Sequence, residues 1–166
     1  MIVLGIDPGS VRTGWGVIDA RGRRLTTLDW GIIKMQSTTP LAQRLVTIHD
    51  GLAAVCQDHK VEVVAVEGIF QGGGMKNVRS VLTLGHARGA ALLAVAQLGL
   101  EVAEYAPAEV KKSLVGTGRA QKYQMQEMVR SVLGLTELPA EDAADALAVA
   151  VCHSFRLQNP GIGRTR

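Results

Sequence analysis

Five of the first six residues, MIVLGI, are apolar, and the run stops at Asp7. A short unbroken apolar stretch that ends at a turn reads as a buried strand. Pro8-Gly9-Ser10 then reverses the chain, proline presetting φ and glycine accepting a positive one. Gly14-Trp15-Gly16-Val17-Ile18 returns beside the first strand as a hairpin. Arg21-Gly22-Arg23 marks a second turn, and residues 24–34 alternate as a third strand, giving an antiparallel meander. At Leu41 the period changes. Leu41, Leu45, Ile48, Leu52 and Val55 recur at helical spacing after Pro40. Residues 61–66 are a continuous, largely β-branched run that ends at Glu67. A strand following a long helix is best placed parallel to the first by a right-handed crossover. That placement brings Glu67 to the sheet edge that holds Asp7.

Residues 68–77, GIFQGGGMKN, read as a loop whose one aromatic is Phe70. Residues 78–98 form a long helix, apolar on most sides, which predicts burial in the core or in a subunit interface. Gly85 and Gly89 are expected to let another backbone approach it. Residues 100–105 make a fifth strand. Helices are expected over 107–115 and 120–133, separated by Gly116-Thr117-Gly118, and over 140–157. The result is an α/β chain with a single domain over residues 1–157. The remainder, 158–166, carries Pro160, Gly161 and Gly163 and is expected to be a flexible tail.

Composition narrows the class. The 166 residues are 47% hydrophobic and 20% charged, enough for a real core in one globular domain. A net charge of +3 says little until it is located. Residues 71–90 hold Lys76, Arg79 and Arg88 without an acid, and residues 155–166 hold Arg156, Arg164 and Arg166 without one. Basic zones around an acidic site suit a polyanion partner. Cys56 and Cys152 show neither metal spacing nor a disulfide framework and read as buried free thiols. No secretory signal and no membrane span is legible, so a cytoplasmic protein with no membrane partner is expected.

Asp142 and Asp145 stand three residues apart near the start of the last helix, on one face. Acids in a first helical turn often do no more than meet the helix dipole, and Glu141 is assigned only that role. Asp145 is different because the apolar run Ala146-Leu147-Ala148-Val149-Ala150-Val151 follows it. Burying an unpaired charge is costly, no Lys or Arg lies within a helical turn, and a divalent cation is a natural partner. Asp7 alone would be read as an acid bonding the amides of its own turn, at Gly9 or Ser10. With Glu67, Asp142 and Asp145 it makes four carboxylates able to hold two hard cations. Two such ions clamp the attacking and leaving oxygens of a phosphodiester.

These residues carry a family resemblance. Gly5-Ile6-Asp7-Pro8-Gly9-Ser10, Val66-Glu67, Leu84-Gly85-His86-Ala87-Arg88-Gly89, Val115-Gly116-Thr117-Gly118 and Ala140-Glu141-Asp142-Ala143-Ala144-Asp145-Ala146-Leu147 resemble the RuvC-type Holliday-junction resolvases, in order, as far as about His153. The resemblance implies a ribonuclease-H-like fold, a mixed five-stranded sheet flanked by helices. It implies a homodimer that binds a four-way DNA junction and cuts two opposed strands symmetrically in recombination and repair. It implies Mg2+ or Mn2+, two ions per active site, and cooperation with a branch-migration motor. By position, Asp7, Glu67, Asp142 and Asp145 match the family's metal-binding carboxylates. Phe70 matches an aromatic that stacks on a base, and Lys111 and Lys122 match basic residues near the cleaved strand. Lys122 would stabilise charge on the phosphoryl oxygens. Lys76, Arg79 and Arg88 are expected to contact phosphates, Arg88 alternatively to serve the fold. Gly72-Gly73-Gly74 looks like an insertion against the family pattern. His49, His59, His86 and His153 receive no catalytic role, and Trp15 and Trp30 are read as core or sheet-face residues.

Two other readings stay open on sequence alone. Gly5-Ile6-Asp7-Pro8-Gly9 also resembles the first phosphate loop of actin-like ATPases and sugar kinases, whose two-domain arrangement 166 residues are too few to build. A non-catalytic junction-binding scaffold is the other, against which stands the presence of all four acids.

Overall fold

The structure, a computed structural model, describes residues 1–22, 24–68 and 77–158. Phe70, Lys76, the three loop glycines and residues 159–166 lie outside the described residues, and with them the stacking, loop-insertion and tail expectations. Among the described residues five strands run β1 Ile2–Asp7, β2 Arg12–Arg21, β3 Arg24–Lys34, β4 Val63–Glu67 and β5 Glu101–Tyr105. Among them, too, five helices run α1 Leu41–His59, α2 Val78–Gln97, α3 Pro107–Val115, α4 Lys122–Leu133 and α5 Glu141–Gln158. One sheet holds all five strands in the order β3-β2-β1-β4-β5. β1–β2 and β2–β3 pair antiparallel, while β1–β4 and β4–β5 pair parallel. The expected meander and the mixed sheet are both present.

Strand alternation sorts side chains to the two faces. Leu4, Ile6, Val64 and Val66 join the core under α1 and α2, with Ile48, Leu52, Ala87 and Ala91. Val3 and Ala65 join the core on the other face, with residues of α3, α4 and α5. Val17 and Ile18, consecutive in β2, enter opposite cores by the same alternation, and the β2–β3 register shifts between them.

Two helices differ from expectation. α2 is one-sided: Ala87, Arg88, Ala91, Ala94 and Val95 are buried, but Val78, Leu82 and Leu93 are largely exposed. A Cβ added at Gly85 or Gly89 meets nothing within 4 Å, so neither glycine serves a close approach within this chain. The helix buried nearly all round is α5, where every residue from Ala146 to Ser154 is inaccessible to solvent or almost so. Its small alanines let sheet and helices close on it from several sides. α4 starts at Lys122, two residues later than expected, because Gln121 caps it in a reciprocal box with Gln124. Asn77, read as loop, is the N-cap of α2 and accepts from the Arg79 amide at 2.9 Å. Both cysteines are buried and free, and among the described residues no helix is long and apolar enough to cross a membrane.

Candidate active site

The register Ile6↔Val66 in the parallel β1–β4 pair sets Asp7 and Glu67, each one residue further on, side by side at the sheet's C-terminal rim. In α/β sheets this rim is where ligands bind. α5 crosses it closely because two strand positions lack side chains. A Cβ on Gly14, the hairpin partner of Asp7, would stand 1.9 Å from the Asp142 carbonyl oxygen. A Cβ on Gly5 would stand 1.9 Å from that of Ala146. Glycine at these two positions is what lets the first turns of α5 bring Asp142 and Asp145 to Asp7. The turn itself is served by other groups. Thr13 Oγ1 donates to the Gly9 carbonyl at 2.8 Å and accepts from the Gly9 amide at 3.3 Å. Arg44 Nη1 donates to the Ser10 carbonyl at 2.6 Å. The Gly9 amide therefore goes to Thr13, and the turn-bonding reading of Asp7 loses that partner.

Electrostatics report the convergence of the acids. Burial, and then the charges of Glu67, Asp145 and Asp142, push the Asp7 carboxyl up to about 8, against a smaller opposing effect of Lys122. Burial and the charge of Asp145 raise Glu67 to about 7, with Lys111 and Lys122 pulling the other way. Asp145 rises to about 6 through burial, opposed first by Lys122. Removal from water and mutual repulsion both disfavour the ionised forms.

Cations border the acids. Lys122, at the start of α4, is paired with Glu141, whose hydrogen bond and then charge raise its pKa. Glu141 thus does more than meet the helix dipole: it steers the lysine over the site. Lys111 on α3 and Lys122 line a cleft of about 160 Å³ together with Glu67, Asp145, Pro107 and Met125. Arg12, a residue the sequence reading did not single out, donates from Nε to Asp142 Oδ2 at 2.5 Å. Its signal was available in the hairpin, whose return leg carries Arg12 back past the Asp7 rim. Arg88 is buried, donating to the Glu67 carbonyl at 2.5 Å and pairing with Glu104 at 2.6 Å. It therefore serves the fold, not a phosphate, and anchors the end of β4. Arg79 is exposed in the first turn of α2. His153 is buried, its Nδ1 2.7 Å from the Tyr105 hydroxyl. Trp15 and Trp30 pack partly buried against the two cores, as read from the sequence.

The donors are all carboxylate oxygens, the set that hard divalent cations prefer. A cation between them would offset both the burial and the repulsion that raise their pKa values, so the chemistry of the donors suits such an ion. Among the described residues no three acidic, histidine or cysteine side chains are yet drawn into a ready-made cage.

The family model described as crossover junction endodeoxyribonuclease RuvC matches residues 3–153. A protein of that name from Magnetococcus marinus is 52% identical over 151 residues, covering 91% of this chain and 82% of its own. Another, from Syntrophotalea carbinolica, is 53% identical over 154 residues, covering 93% and 94%. The structure of Thermus thermophilus RuvC in complex with Holliday junction substrate superposes with a TM-score of 0.84 at 33% identity, covering 95% of each chain.

Proposed function

This chain belongs to the RuvC family of crossover junction endodeoxyribonucleases and resolves Holliday junctions, and from that premise we propose that Asp7, Glu67, Asp142 and Asp145 are its metal-binding catalytic acids. The observation that carries this reading is the meeting of two strand ends and one helix start at a single rim, with three of the four carboxyls held far above their ordinary range. Two Mg2+ or Mn2+ ions, when bound, supply an activated water and neutralise charge on the departing 3′ oxygen. The protein's own part is to hold the donors rigid. Asp7 and Glu67 are fixed by paired strands, Asp142 and Asp145 by a helix locked into the core. Lys122, released from Glu141, faces the phosphoryl oxygens, and Lys111 flanks the same strand across the cleft. Arg79 and Lys76 take backbone phosphates, and Phe70, by position in the family pattern, stacks on a base.

Two opposed cuts require two such sites, and we place the second in another copy of this chain, joined through the exposed stripe of α2. The dimer works in the cytoplasm on junctions delivered by a branch-migration motor. The test is Asp7→Asn against a synthetic four-way junction with Mg2+. Binding should persist within a few-fold while cleavage falls by several orders of magnitude, as for loss of a group acting in the transition state. Cleavage at the wild-type rate would remove Asp7 from the chemistry.

A further inference from the structure

Among the described residues Asp142 differs from the other three acids in having an arginine side chain paired with its carboxylate. Arg12 reaches it from the first residue of β2, and the guanidinium side chain is half exposed at the mouth of the site. Its register partner on β3 is Lys34, so two cations stand together at this corner of the sheet. The Asp142 side chain is itself about a quarter exposed. A carboxylate held at 2.5 Å by a fixed positive charge is a poorer ligand for a second cation, because the two cations repel and share one acceptor.

We propose that Arg12 is the stand-in cation of the metal-free site and a phosphate-binding residue of the DNA complex. It holds Asp142 until a divalent ion takes that carboxylate. The freed guanidinium then turns outward to a backbone phosphate of the bound strand, a planar fork suited to that anion. Metal binding and DNA binding thereby favour one another. Arg12 would turn toward the phosphate when Asp142 holds a divalent ion, and Arg12 on a phosphate would leave Asp142 free to hold one. This inference rests on the four-carboxylate reading above.

The experiment titrates Mn2+ into the DNA-free protein by calorimetry, for wild type and for Arg12→Gln. The variant should bind Mn2+ more tightly, on the order of five-fold at low salt, as expected for freeing a partly exposed ion pair. Junction binding is then followed against salt with Ca2+ in place of Mg2+. The slope of log affinity against log salt should shrink by about one phosphate contact in Arg12→Gln. Arg12→Lys, which keeps the charge, should return that slope to the wild-type value. Unchanged or weaker Mn2+ binding by Arg12→Gln overturns the stand-in role while the carboxylate site survives. An unchanged salt slope overturns the phosphate role. Failure of the wild-type chain to bind Mn2+ at all overturns the carboxylate site and this inference with it.

Discussion

Asp7 sits where a carboxylic acid gives up its proton reluctantly. Its carboxyl, at about 8, and that of Glu67, at about 7, retain protons that an unfolded chain would release near pH 4. Between those limits the folded state binds more protons than the unfolded one, so the metal-free protein loses stability as pH rises. The loss is absent below the unfolded value, where both states are protonated, and complete above about 8, where both are ionised. Replacing Asp7 by asparagine removes the largest of these penalties. With chelator present, Asp7→Asn should therefore melt a few degrees above wild type at pH 8 and converge with it toward pH 5. A thermal melt at several pH values reads this directly, and identical curves would mean the burial of Asp7 costs the fold nothing. Metal affinity should run the opposite way, climbing between pH 6 and 8 as the ligands deprotonate.

At the scale of elements, α5 does for the site what no single side chain can: it carries two acids near enough to a strand end for both charges to raise the Asp7 carboxyl. That depends on Gly5 and Gly14, each facing a helix carbonyl at a distance no Cβ tolerates. Gly14→Ala should push the first turn of α5 outward. The expected outcome is a destabilisation of about 1–3 kcal/mol by overpacking. Cleavage should fall about a hundredfold, as befits an ångström-scale misplacement of catalytic groups. A melt and a cleavage time course on one preparation separate the two, and full activity would show that the helix yields without moving its acids. The strands were legible in the sequence because their apolar runs end abruptly at Asp7 and Glu67, which placed the acids as well. The roles of α2 and α5 were not, since both are rich in apolar residues and only size distinguishes them. Alanines admit close neighbours all round, whereas Val78, Leu82 and Leu93 make an outward stripe. Arg12 escaped for a related reason, since its partner Asp142 lies 130 residues away, beyond any local pattern. The structural alternative for Arg88 was legible from its place in an apolar helix, although its partner Glu67 was not.

For the whole molecule, one feature of α2 is left without a function inside a single chain. Val78, Leu82, Gly85, Gly89 and Leu93 recur every three or four residues and therefore share one face, exposed throughout. The same face borders a shallow apolar groove formed with Leu45 and Val46 of α1. Large apolar side chains rarely line up in water unless another surface covers them, and glycines on such a face let a second backbone come close. A two-fold pairing of this stripe with itself would bury it and leave each carboxylate rim open, since the rim belongs to the strand ends and the first turns of α5. It would also fix the separation of two identical sites, which is what cutting two strands of one junction in symmetry demands. Leu93→Glu places a charge in that stripe without touching either core. Sedimentation should then show a monomer where wild type sediments as a dimer. The monomer should keep its fold and its Mn2+ affinity while losing paired cleavage of a junction. If Leu93→Glu sediments as wild type does, the stripe is not where two copies meet.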